Sequence, residues 1–194
     1  MSSPLVVAIT GASGAPYAVR ILDALARHRV PVWLIVSGHG WRLLETEAGL
    51  ADVDALRGAT GGDWSSIILF DDGDRGAKPA SGSQRTRGML ICPCSMGTVA
   101  AVAHGTSRSL VERAADVTLK EGRKLVLVPR ETPWSLVHLR NLTAAAEAGA
   151  TILPAAPGFY HRPTTVAELV DFVAQRVLDQ FNLDLTGAPR WQEE

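Results

Sequence analysis

Cysteine is nearly absent from this 194-residue chain, which has only Cys92 and Cys94, two residues apart inside the apolar segment Met89 to Ser95. That usage excludes a disulfide framework and suits reduced, packed thiols better than a metal site. The five histidines, His28, His39, His104, His138 and His161, share no metal-ligand spacing, so no protein-bound metal is expected. No apolar run approaches the length needed to cross a bilayer, and no basic segment followed by an apolar one opens the chain. A cytoplasmic protein without a membrane partner is expected. Nor does one sign of charge dominate: 19 Lys and Arg against 20 Asp and Glu leave a formal net charge of -1. Without a long-range field, nucleic acid is not an expected partner, and any anion site has to be built locally.

What is present is a 46% hydrophobic chain whose apolar residues fall in short runs alternating with helical patterns. This predicts one α/β domain over residues 1–194, with a mainly parallel sheet. Leu5 to Ile9 reads as a buried strand. Thr10-Gly11-Ala12-Ser13-Gly14-Ala15 follows, and a helix is expected from Pro16 to about Arg27. A glycine loop between strand and helix lets N–H groups approach a phosphate, with the Ser13 hydroxyl among them; an ordinary tight turn would look the same. The spacing is neither the dinucleotide fingerprint nor a P-loop, whose lysine is missing. Val32 to Val36, Ile67 to Phe70, Met89 to Cys92, Leu125 to Val128 and Thr151 to Leu153 predict further strands. Helices are expected through Trp41, Leu43 and Leu44 with Glu45 and Glu47, from about Trp134 to Ala148, and from Thr165 to Phe181. Ala51 to Ser66 reads as an irregular polar excursion, and the tail through Pro189, Arg190 and Trp191 as docked by its tryptophan.

Ser13, Ser37 and Ser95, with Thr98 beside the last, recur where strands give way to helices. Singly each is an N-cap; together they would line one crevice with neutral donors for a phosphate-bearing ligand. The stretch Arg113 to Pro133 concentrates charge around a buried strand. Arg113 and Lys120 lie seven residues apart on one helix face, while Asp116 is expected to pair with Lys120. Arg130 and Glu131 stand just beyond the strand's carboxyl end, where open α/β sheets hold ligands, so these charges are expected to converge on one anion. Phe159-Tyr160 forms an aromatic pair in a proline-rich loop, and Arg176 lies at the edge of the last helix's apolar stripe.

Six segments taken in order resemble the UbiX-type flavin prenyltransferases: Thr-Gly-Ala-Ser-Gly-Ala at 10 to 15, Ala-Ser-Gly-Ser at 80 to 83, Ile-Cys-Pro-Cys-Ser at 91 to 95, Glu-Arg-Ala-Ala-Asp-Val at 112 to 117, Pro-Arg-Glu-Thr-Pro at 129 to 133, and Pro-Ala-Ala-Pro-Gly-Phe-Tyr at 154 to 160. The resemblance implies a three-layer flavodoxin-like (Rossmann-like) fold. It also implies an enzyme that joins the dimethylallyl group of dimethylallyl monophosphate to N5 and C6 of reduced FMN, without metal. Prenylated FMN, the product, would serve a UbiD-type decarboxylase. A homo-oligomer, by resemblance a dodecamer with sites at subunit interfaces, is expected.

Carried over by position, Gly11, Ala12, Ser13, Ser37, Ser95, Thr98 and Arg130 would contact FMN. Ser81, Arg113, Lys120, Arg130, Glu131, Tyr160 and Arg176 would hold the prenyl phosphate. Ser13, Glu47, Lys120 and Glu131 would take the catalytic roles, with Glu47 working beside the serine of the glycine loop. One departure is Arg75, where some members carry tryptophan; no aromatic residue stands between Phe70 and Trp134. Two rival functions are an FMN-dependent cysteine decarboxylase and a non-catalytic flavin-binding accessory subunit of a hydroxyaryl acid decarboxylase. The first expects a Pro-x-Ser-Ala-Asn-type segment where this chain has Pro93 to Thr98.

Overall fold

Five consecutive buried residues make β1 (Leu5–Ile9), and the same is true of β2 (Val32–Val36) and β5 (Leu125–Pro129). Strands without a polar face need covering on both sides, which the helices provide. The structure is a computed structural model that describes residues 3–187, so the expected docking of Trp191 lies outside the described residues. With β3 (Ile67–Asp71), β4 (Gly88–Cys94) and β6 (Ala150–Ile152), the strands form one parallel sheet in the order β3-β2-β1-β4-β5-β6. The three-layer parallel architecture read from the sequence is therefore present. Its strand order reverses between β1 and β4, and the crevice outside that switch point is where such sheets bind ligands.

Alternate residues serve the two faces. Leu5, Val7, Ile9, Leu34 and Val126 pack with α1 (Ala15–Arg27) and α7 (Val166–Asp179). Val6, Ala8, Ile35, Met89 and Leu127 pack with α4 (Met96–Ala103), α5 (Leu110–Lys120) and α6 (Leu136–Glu147). β4 runs two residues beyond the expected end at Cys92, and its register with β5 shifts between Ile91 and Cys94. The shift turns the two cysteines to opposite faces, Cys92 toward α1 and α7, Cys94 toward α4 and α5. Both are fully buried, and burial pushes both thiols well up, so they remain protonated.

The segment from Ala51 to Ser66 corrects the expectation of an irregular excursion. It contains α3 (Val53–Ala59), capped by Asp52, then a 3-10 turn over Trp64–Ser66. Leu56 is fully buried, and the Trp64 indole donates to Thr60 Oγ1 at 2.7 Å. Seven residues with a single core-facing leucine give too short an apolar period to be read from sequence. α2 (Gly38–Ala48) begins at Ser37 and ends at Gly49, whose φ of 70° is the left-handed C-cap conformation that glycine adopts freely. Among the described residues, no helix is long and apolar enough to cross a membrane.

Candidate functional site

At the carboxyl end of β1 the chain turns through Gly14, whose φ of 130° is closed to most side chains. This turn aims the N–H groups of Gly14 and Ala15 at one point, and both donate to Glu47 Oε2 at 2.8 Å. Glu47 comes from the last turn of α2, so two elements meet across the mouth of the sheet. The glycine loop was expected to offer these donors to a phosphate; instead the chain's own carboxylate occupies them, as helix N-termini favour any anion. Partial burial pushes the Glu47 carboxyl up. The Gly14 N–H, the Ser13 hydroxyl, the Ala15 N–H and the charge of Arg130 outweigh that and hold it below the usual carboxylate range. Arg130, beyond β5, donates from Nε to the Ser13 carbonyl at 3.2 Å. Ser13, Glu47 and Arg130 are thus brought together from three separate segments.

Beside this cluster, at the switch point, lies a cavity of about 240 Å³ whose lining includes Gly11, Ser37, Ser95 and Thr98. Ser37 caps α2, accepting from the Gly40 N–H at 3.1 Å; Ser95 caps α4, accepting from the Thr98 N–H at 3.2 Å. Capping and lining are therefore the same act: each hydroxyl ends a helix whose positive pole faces the cavity. A third such pole belongs to α5, capped by Ser109, which also lines the cavity. Thr10 ties the walls together, donating to the Pro93 carbonyl at 3.0 Å and accepting from the Ser95 N–H at 2.9 Å. Sequence reading missed Thr10, His39, Asp72, Ser109 and Glu112 in this lining. The Ser109-x-x-Glu112 spacing was a legible helix-start signal. In the structure Arg108 and Thr106 take the Glu112 carboxylate. Burial raises that carboxyl, but Arg108 and then Thr106 lower it more, so it too stays below the ordinary range.

The remaining sequence-picked residues do not converge within one chain. α5 runs antiparallel to the strands, so Lys120 at its end lies at the amino end of β5, whereas Arg130 and Glu131 follow the carboxyl end. Five strand residues at about 3.3 Å each separate the two levels by roughly 13 Å. Lys120 sits instead against the Ser81-Gly82 backbone, where a Cβ added to Gly82 would lie 3.1 Å from its Nζ. Lys120 pairs with Glu121 at 3.0 Å, and Asp116 pairs with Arg113 at 3.0 Å, not with Lys120. The i,i+3 arginine is the nearer partner, and the neighbouring Glu121 takes the lysine. Ser81 exchanges a hydrogen bond with Ser83 at 2.9 Å. Glu131 is exposed, its Oε1 accepting from the Thr132 N–H at 3.0 Å. Tyr160 meets Phe172 of α7 edge-on at 5.7 Å. One turn further, Arg176 pairs with Asp179 at 2.9 Å and lines a cavity of about 310 Å³ with Leu153, Pro154 and Ala156.

A doubly wound parallel sheet with hydroxyls and three helix N-termini gathered at its switch point defines an α/β protein built to hold a phosphate-bearing ligand. The comparisons make this specific. The Flavoprotein family model matches residues 2–178. The flavin prenyltransferase UbiX of Deinococcus radiodurans is 50% identical over 192 residues, covering 98% of this chain and 94% of that protein. A solved UbiX (PadA1) in complex with FMN and dimethylallyl pyrophosphate is 38% identical with a TM-score of 0.89, covering 100% of both chains. A dodecameric FMN-dependent UbiX-like decarboxylase from Escherichia coli O157:H7 is 42% identical with a TM-score of 0.88, over 98% of this chain and 100% of that one. This chain belongs to the UbiX family of flavin prenyltransferases.

Proposed function

We propose that the chain is a flavin prenyltransferase that transfers the dimethylallyl group of dimethylallyl monophosphate to reduced FMN, closing a fourth ring between N5 and C6. The observation that carries this reading is the Ser13–Glu47–Arg130 cluster beside the switch-point cavity, in a member of this family. In this reading both flavin and prenyl phosphate are substrates. Gly11, Ala12, Ser13, Ser37, Ser95, Thr98 and Arg130 hold FMN, its phosphate among the capped helix ends. The cavity's hydroxyls and N-terminal dipoles fit an anion without a metal.

In this reading Arg130, Glu131, Tyr160 and Arg176 take part in holding the prenyl phosphate. Ser81 and Lys120 come from neighbouring copies, because within one chain they face the other end of the sheet from Arg130, and Arg113 comes with Lys120 on the same helix. This supports a homo-oligomer with shared sites, and a dodecamer fits the assembly of the E. coli relative. As the allylic C–O bond breaks, its electron pair moves to the phosphate, and the cations of Lys120, Arg130 and Arg176 stabilise the charge that develops there. The prenyl carbon bonds N5, which gives up its proton. Ring closure then costs C6 its proton and gives one to the alkene. Ser13, Glu47 and the released phosphate share these transfers, while Glu131 or Tyr160 protonates the leaving group. The chain works as one domain, and buried, protonated Cys92 and Cys94 suit a cytoplasmic setting. Prenylated FMN then passes to a UbiD-type decarboxylase.

Anaerobic mixing of the protein with reduced FMN and dimethylallyl monophosphate, without metal, followed by mass analysis of the extracted flavin, tests the reading. A flavin heavier by one isoprenyl unit is the expected result. Unmodified FMN from a folded, flavin-bound protein, with the diphosphate donor inert as well, would overturn the reading in favour of a flavin-carrying accessory role.

A further inference from the structure

The lining of the switch-point cavity includes His39, Asp72 and Glu112, to which the reading above gives no part. Among the described residues lining it, the carboxylates are Asp72 and Glu112, and no lysine or arginine is present. Both carboxylates are already engaged: Asp72 Oδ1 accepts from the Val111 N–H at 2.9 Å, and Glu112 Oε1 accepts from Arg108 at 2.9 Å. Helix N-termini contribute about half a positive charge each, and neutral hydroxyls add none. A phosphate seated there would meet helix poles and hydroxyls, with no lysine or arginine among the lining residues. His39 is the lining residue that adds a ring N–H donor to those hydroxyls. It stands in the first turn of α2, directly over the glycine loop: a Cβ added to Gly11 would lie 2.5 Å from His39 Cβ and 3.4 Å from its Cγ. Gly11 is thereby explained as the residue that lets the imidazole approach the loop. Arg42, one turn further along α2, is exposed and does not line the cavity.

We infer that His39 donates a hydrogen bond from a ring N–H to the phosphate of FMN, and that this contact makes the cavity prefer the phosphorylated flavin over riboflavin. The inference rests on the reading that FMN's phosphate occupies this cavity. A charge-assisted hydrogen bond of this kind is stronger than a neutral one, and its loss weakens binding by roughly tenfold to a hundredfold.

The test is a set of dissociation constants for FMN and for riboflavin, measured by flavin fluorescence at pH 6.5 on the parent protein, His39→Gln and His39→Lys. His39 is exposed, so neither substitution disturbs the core. The expected pattern is an at least tenfold loss of FMN affinity in His39→Gln, riboflavin affinity within twofold of the parent, and recovery of most FMN affinity in His39→Lys. If the parent prefers FMN over riboflavin while His39→Gln binds FMN within twofold of it, His39 has no such role although the phosphate site stands. Equal weakening of FMN and riboflavin overturns the inference as well, since it marks a structural effect. A parent that binds both flavins equally removes the phosphate from this cavity, and the reading beneath the inference goes with it.

Discussion

Glu47 is an anion set where the backbone has already assembled positive charge, and that placement gives it two separable consequences. Its carboxylate receives the Gly14 and Ala15 N–H groups and the Ser13 hydroxyl, so it both fixes the loop and tunes the serine. Glu47→Gln keeps one acceptor oxygen and removes the charge. Each charged hydrogen bond is worth about 1.5–3 kcal/mol, so prenylated-flavin formation should fall at least about tenfold while FMN still binds. Parent-like turnover by mass-resolved product assay would remove Glu47 from the proton transfers. The second consequence is in acid. Glu47 and Glu112 both have folded-state values lowered below the ordinary carboxylate. Such groups contribute stability above the unfolded value of about 4.3, and lose it as pH falls through the lower folded value. The urea midpoint should therefore hold from pH 7 to about 5 and drop below about 4, with a shallower drop in a Glu47→Gln, Glu112→Gln double variant. Equal slopes in the two proteins would show that other carboxylates govern acid unfolding. At this scale Ser37 and Ser95 were legible because a hydroxyl at a strand-to-helix boundary has one local cause. His39 and Asp72 were not, since cavity lining depends on how separate loops meet in space.

The strands could be read to within two residues at each end, because a run covered on both faces, as in β1, β2 and β5, is apolar throughout. The elements that escaped reading were those whose cause is not local. Residues 53–59 are helical because Asp52 accepts from the Ala55 N–H at 2.8 Å and Leu56 plugs the layer above β2 and β3. Neither fact has a period long enough to recognise. Leu56→Ala should cost about 2–5 kcal/mol through the cavity it leaves, lowering the thermal midpoint by several degrees with little change in flavin affinity. A change under about 0.5 kcal/mol would mean that α3 is dispensable to the core. Direction along the sheet was the other invisible quantity. Arg113 and Lys120 do share a face of α5, as their spacing implied, but the helix carries Lys120 away from Arg130, because a crossover helix runs back to the opposite edge. The six-segment resemblance orders these residues along the sequence and says nothing of direction in the sheet, so it does not show that Lys120 and Arg130 lie at opposite ends of it.

That separation sets what the whole molecule has to do. The surface carries unusual apolar exposure along the start of α6, with Leu136 and Val137 each 61% exposed and Trp134 and Leu139 beside them, and again at Ile68 and Leu69 on edge strand β3. Exposed patches of this kind mark interaction surfaces, and under the shared-site proposal they are where one copy would meet another. Two consequences can be measured together. Lys120→Ala and Arg130→Ala chains should each be inactive alone. Unfolded together and refolded as an equal mixture, they should recover about a quarter of parent turnover, because half the chains bring each intact residue to a shared site. No recovery in a mixed oligomer would place both residues in one subunit's site. Leu136→Asp with Val137→Asp inserts charge into the apolar patch without touching the sheet or the switch-point cavity, so sedimentation should report a smaller, folded species. If sites are shared, that species loses turnover although its Ser13–Glu47–Arg130 cluster is intact. A dispersed protein that still prenylated FMN at the parent rate would mean that a single chain closes its own donor site, by a movement far larger than any side-chain rotation at Lys120 could supply.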